Sequence, residues 1–323
     1  MEFINQAGWQ IYNPPFQLDQ TTCYGYFVSA DRSTLQKSVD QTLNAGLPDD
    51  ICYKVLSGQV LAAMVDIGHL SCVNPPQNTQ GWLHESDFAF FAVLARLERV
   101  AGIWLPRRLV LFPVFLMVDN PLAVMVGREL FGYPKSMADI TIPAIGSNDP
   151  LSISTLVLQS FSPNTPLTNV EVIRVECDST TVPANASPLP TEWNSASDWL
   201  RGLFEHAFAG VEDVVIEGLE SVVKWIDHLH EPEVTLVFRK QFPDAIDPLQ
   251  ACYAVIVEAP LKVTGFTHGG LLHGKRTLHI TPCDSLPIAS FLGLPSADCD
   301  VELAFYSQAE FLVELGEIIY RFQ

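Results

Sequence analysis

Cations are scarce in this 323-residue chain: 18 lysines and arginines stand against 37 aspartates and glutamates, for a net charge of −19. With no excess of positive charge to neutralise phosphates, neither a nucleic-acid partner nor an anionic membrane surface is expected. Long apolar runs are missing too. Leu109 to Val118, among the longest, is broken by Pro113 and is too short to span a bilayer. The N-terminus has no basic start followed by an apolar stretch, so no signal peptide is expected. The seven cysteines (Cys23, Cys52, Cys72, Cys177, Cys252, Cys283 and Cys299) include no CxxC pair. Odd in number and scattered, they suit reduced thiols and a cytoplasmic location rather than a disulfide framework or a zinc site. There is no Gly-rich phosphate loop and no Gly-x-Ser-x-Gly elbow for a serine nucleophile. His268, His273 and His279 follow no paired-ligand spacing, so neither a metal nor another cofactor is expected.

What is present is apolar bulk. Hydrophobic residues make up 48% of the chain, enough for one large core. The first half reads as strands separated by Pro and Gly: Tyr24 to Ala30, Val60 to Ile67, Phe88 to Val93, Leu109 to Val118, with Leu122 to Val126 as a further candidate. A helix from Leu35 to Leu43 is expected, capped by Asp31 or Ser33. Ser179 to Ser195 is a Pro/Thr/Ser/Asn-rich connector, followed by a helical block from about Ala196 to His230. That block is read as docking on the body or on a sister subunit, or as a lid. Val234 to Phe242 and Ala251 to Glu258 read as a hairpin around Asp244, Asp247 and Pro248. Strands are expected at Lys262 to Thr267, Thr277 to Thr281 and Val301 to Tyr306, then a terminal helix from about Ala309 to Tyr320. The pattern favours an antiparallel sheet or closed barrel over alternating βαβ units.

The most informative stretch is Gly127-Arg128-Glu129-Leu130-Phe131-Gly132-Tyr133-Pro134-Lys135. Lys135 follows a proline and lies behind the apolar run Pro121 to Val126. An exposed lysine, with a pKa of about 10.4, is neutral in only about one molecule in 2,500 at pH 7. Burial that lowered the pKa to ~7 would make half of it nucleophilic, at a cost to the charged form of about 4–5 kcal/mol. Such an amine is what Schiff-base chemistry requires.

This run resembles the active-site segment of the acetoacetate decarboxylase family. The order of the later stretches supports the likeness: Arg239-Lys240-Gln241-Phe242, Ala251-Cys252-Tyr253, and Glu258 to Leu294 with Leu286-Pro287. The resemblance implies a mainly β, closed cone-like antiparallel barrel with flanking helices, in one domain over 1–323, carrying an inserted connector and helical block at about 182–231. It implies a reactive Lys135 in a mostly apolar pocket, and an oligomeric protein. Glu85, in Leu83-His84-Glu85-Ser86, matches the family's catalytic glutamate, and Asp66 corresponds to its other acidic residue. Tyr133, Ser136 and Tyr253 are further pocket candidates, and Arg128 with Glu129 would brace the loop. Two departures stand out: Ser136 occupies the place of a second lysine, and Thr21 or Thr22 that of a carboxylate-binding arginine. The function implied is decarboxylation of a β-keto acid through an imine on Lys135, without cofactor. The alternatives are an aldolase–dehydratase acting on a larger keto acid and a non-catalytic binding protein with the same pocket.

Overall fold

A computed structural model describes residues 12–145, 147–179, 192–208 and 232–322. The chain opens with β1 (Phe16–Ser29) and α1 (Arg32–Gln41), then three long strands, β2 (Ile51–Cys72), β3 (Trp82–Val100) and β4 (Ile103–Val118). Asp31 caps α1, its carboxylate accepting the Thr34 N–H at 2.7 Å. After β4 come α2 (Pro121–Leu130), β5 (Lys135–Met137), β6 (Asp139–Thr141), β7 (Leu151–Val157), β8 (Thr168–Ser179), β9 (Glu192–Trp193) and α3 (Ala196–Ala207). The hairpin β10 (Glu233–Pro243) and β11 (Ala251–Leu271) follows. The chain then forms β12 (Lys275–Ile280), α4 (Ile288–Leu292), β13 (Asp298–Asp300), β14 (Leu303–Val313) and β15 (Glu317–Arg321).

Seven strands form a ring in the order β10-β11-β14-β1-β2-β3-β4, with β4 returning to β10. Neighbours along this order are antiparallel; the closing contact is parallel and pairs Leu236 with Leu111. The expected mainly β fold is therefore present, with seven strands arranged in a ring. A second sheet, β13-β12-β8-β7-β6, packs on one face of the ring. Among the described residues no helix is long and apolar enough to cross a membrane.

Strand periodicity distributes the side chains between two cores. In β3, Phe88, Phe90, Ala92 and Leu94 pack into the core shared with the second sheet, while Glu85, Asp87, Ala89 and Phe91 look into a cavity on the other face. β2 repeats the division, with Val60, Ala62 and Met64 on the first face and Leu61, Ala63 and Val65 on the second.

Two expectations fail. Leu122 to Val126 is helical, because Asn120 accepts the Leu122 N–H at 2.9 Å as N-cap and Pro121 takes the first helical position. The expected helix from Ala309 to Tyr320 is β14 and β15 instead. Ala309, Phe311 and Val313 are buried while Glu310 is exposed, a period of two. β14 pairs with both β1 and β11, and this pairing overrides the helix propensity of a Glu- and Leu-rich segment. The later part of the proposed helical block, residues 209–231, lies outside the described residues, as do 180–191 of the connector.

Gly25 of β1 shows how tightly the cavity face is packed. A Cβ there would fall 2.1 Å from Cζ of Phe305, which spans from β14. Gly25→Ala is expected to lower stability by about 1–3 kcal/mol. Phe305→Ala in the same chain should cost less than it does alone, the two changes coupling through the shared contact. Urea unfolding of the two single variants and the double variant measures the coupling.

Candidate active site

The helix α2 delivers Lys135. Its end is set by Gly127, whose carbonyl accepts the N–H groups of Phe131, Gly132 and Tyr133 at 3.1–3.2 Å. Gly132 then adopts φ +86° and lies against the Lys240 backbone, where a Cβ would come within 2.4 Å of Lys240 Cα. The chain turns through Tyr133 and Pro134 and enters β5, with Lys135 paired to Leu116 of β4. Arg128 braces this turn by donating from Nη1 to the Lys135 carbonyl at 3.1 Å. Gly127 is needed a second time: a Cβ would sit 2.8 Å from Lys135 Cδ.

The Lys135 side chain is 4% exposed and points into the cavity. Its Nζ lies 3.5 Å from Glu85 Oε1 and 3.4 Å from Asp87 Oδ2. Glu85 and Asp87 are two residues apart on β3, so both fall on one face. Their other oxygens, Glu85 Oε2 and Asp87 Oδ1, are buried and meet no hydrogen-bond partner among the described residues. Buried acceptors left open in this way are uncommon and costly. The ring of Tyr133 stands 5.5 Å from Nζ and stacks on Phe131.

Electrostatics differ from the sequence expectation at one point. Burial does press the Lys135 amine downward, but Asp87 and Glu85, through charge and hydrogen bonding, outweigh it and hold the amine above its ordinary value. The cost appears on Asp87, whose carboxyl is pushed up to about 8 by burial and by the neighbouring Glu85, despite the opposing pull of Lys135. Burial, with Asp87 and Glu85 nearby, also raises the Tyr133 phenol. Near neutrality the cluster thus holds an ammonium at Lys135 and a protonated Asp87.

The cavity measures about 220 Å³. Every strand of the seven-membered ring contributes to its wall, as do α2 and α3. Among the described residues that line it, Glu85, Asp87 and Lys135 are the only charged ones. Lys135 and Tyr133 also border an outer cleft of about 730 Å³, which Ser136, Arg128 and Arg239 line as well.

The remaining candidates separate from this cluster. Asp66 pairs in register with Ser86, so it points to the face opposite Glu85; it accepts from Ser86 Oγ and contacts His84 Nε2 at 2.9 Å. Ser136 is exposed on the outer-cleft side of β5. Tyr253 does not line the cavity; its ring lies 5.6 Å from Lys240 Nζ and 5.2 Å from Arg321 Cζ. Thr21 is buried with its hydroxyl unpartnered, and neither it nor Thr22 lines the cavity. Asp87, which sequence reasoning missed, carried one usable signal: it stands two residues after Glu85, and a strand reading begun at Trp82 rather than Phe88 would have placed both on one face.

Linkage makes the Asp87 assignment testable. Its folded pKa of about 8 lies above its ordinary value of 3.8. The folded state therefore keeps a proton that the unfolded chain has released, and stability falls as pH rises from about 4 to about 8. Asp87→Asn should flatten that dependence and gain on the parent protein across the window. Urea midpoints at pH 4.5, 6, 7.5 and 9 measure it, and a stability difference that does not change with pH would contradict a protonated Asp87.

The acetoacetate decarboxylase (ADC) family model matches residues 55–159, a span that contains Glu85, Asp87 and Lys135. No curated protein matches the chain in sequence. Among solved structures, acetoacetate decarboxylase from Legionella pneumophila aligns over 98% of this chain and 93% of its own, at 12% identity and TM-score 0.56. An acetoacetate decarboxylase-like enzyme from Sphingomonas wittichii RW1 covers 96% and 95% at 13% identity, with TM-score 0.53. The enduracididine biosynthesis enzyme MppR, complexed with pyruvate, covers 98% and 95% at 12% identity, with TM-score 0.51. In sequence over residues 55–159, and in fold over nearly its whole length, the chain is acetoacetate decarboxylase-like.

Proposed function

We propose that the protein is a Schiff-base lyase that decarboxylates a β-keto acid on Lys135. The observation that carries this reading is a buried amine 3.4–3.5 Å from two carboxylates, each with one oxygen left open, at the wall of an apolar cavity. Glu85 takes the proton that leaves the Lys135 ammonium, since Asp87 already holds one near neutrality. The free amine adds to the substrate ketone, and the carbonyl oxygen departs as water with a proton from the cluster, leaving an iminium. The bond from the α-carbon to the carboxylate then breaks, its electron pair moves into the iminium to form an enamine, and CO2 leaves. The α-carbon takes a proton, and water hydrolyses the imine to release the ketone and restore the amine. Loss of CO2 removes the substrate's negative charge, which an apolar wall favours. The carboxylates that raise the Lys135 pKa in the free protein stabilise the cationic iminium afterwards.

A second reading has support of its own. MppR, of similar fold, has been captured with pyruvate and with the condensation product of pyruvate and imidazole 4-carboxaldehyde. An aldolase–dehydratase would use the same imine without releasing CO2. The chain also lacks the second lysine and the arginine associated with acetoacetate decarboxylation, with Ser136 and Thr21 or Thr22 in their places. A non-catalytic binding protein would leave Lys135 unmodified by any ketone.

Incubation with acetoacetate, or with pyruvate, followed by borohydride should add mass to the peptide bearing Lys135. Lys135→Ala should abolish the adduct and reduce turnover by more than about 10³-fold. CO2 release by the parent protein separates decarboxylase from aldolase–dehydratase. A folded protein that no ketone labels at Lys135 would refute the imine reading.

A further inference from the structure

The wall of the cavity speaks to what lies beyond the ketone. Lys135, Glu85 and Asp87 sit together at one place on it; the remaining described lining side chains are uncharged, and most are aliphatic or aromatic. Trp199, Leu200 and Leu203 of α3 close on it from one side, and Leu111 and Leu236 meet at the ring's parallel seam. A small keto acid such as acetoacetate fits this wall poorly. Its carboxylate would find no cation among the described lining residues except the reacting Lys135, and most of the apolar surface would remain unused. The cavity, at about 220 Å³, is larger than the ~150 Å³ apolar cavity that admits a benzene ring.

We infer that the substrate is a keto acid carrying a hydrocarbon portion of about six or more carbons, which occupies the cavity while the ketone lies against Lys135. The inference deepens the imine reading and rests on it for the placement of the ketone. The tail supplies the binding free energy that the missing cation does not, and it fixes the carbonyl beside the amine. Small side chains on the wall, Ala63 and Ala89, leave room for it.

Methyl ketones of increasing length test this without presuming the acid. Borohydride trapping on Lys135 with acetone, 2-heptanone and 2-undecanone is read as initial labelling rate per unit ketone, and calorimetry of the same series without borohydride gives binding. Each added methylene should raise both by about threefold to fourfold until the cavity is filled, so 2-heptanone should exceed acetone by about 100-fold or more. Ala63→Leu, which narrows the cavity, should lower the ratio of 2-undecanone to acetone labelling. Equal labelling along the series would overturn the tail inference and leave the imine reading standing. Binding that tightens with length, with no label on Lys135, would uphold the tail and overturn the imine. Neither labelling nor length-dependent binding would overturn both.

Discussion

An ammonium cannot be buried without compensation, and the site follows from the way this chain supplies it. Two carboxylates, 3.4 and 3.5 Å from Lys135 Nζ, keep the charge tolerable inside an apolar wall. Because Asp87 is buried and faces the neighbouring Glu85, it retains a proton near neutrality. The cluster therefore places a carboxyl group that keeps its proton near neutrality directly beside the Lys135 amine. Burial alone would lower the Lys135 pKa, but the two acidic groups outweigh it and the pKa is raised. The substrate reading rests on the same wall, since the charge it tolerates is confined to those three side chains.

Placing three groups this closely uses much of the local fold. β3 supplies both carboxylates from one face, and α2 with its glycine-terminated turn supplies the amine. The parallel pairing of β5 with β4 holds Lys135 at the level of Leu116. Gly127 and Gly132 are fixed by contact distances rather than by flexibility: one leaves room for the Lys135 side chain, the other for the Lys240 backbone. The turn is thus clamped from two sides, which gives the amine a defined position before any substrate arrives.

The sequence exposed the parts whose physics is local. Apolar runs marked β2 to β4 and the β10–β11 hairpin, Asp31 marked the start of α1, and Lys135 was marked by its neighbours. The terminal segment misled because Glu and Leu favour helix when no partner strands are considered; its strands exist through pairing with β1 and β11, distant in sequence. Leu122 to Val126 misled because apolar runs of that length do not distinguish strand from helix, although Asn120-Pro121 carried the cap. Asp66 was aligned to the pocket by order along the chain, yet register opposite Ser86 turns it away. Asp87 was not legible as a site residue because the apolar run that marks the strand starts at Phe88, whereas the strand itself starts at Trp82.

That same strand serves two masters. Successive residues of β3 alternate between the two cavity carboxyl groups and the aromatic packing of Phe88 and Phe90, so its sequence serves the cavity and the core in interleaved positions. A single-residue insertion or deletion between Asp87 and Phe88 would break that alternation: with the phenylalanines held in the core the carboxylates would turn out of the cavity, and with the carboxylates held in the cavity the phenylalanines would turn into it. The spacing Glu85-x-Asp87 followed by Phe88-x-Phe90 is therefore the feature by which chains with the same site should be sought.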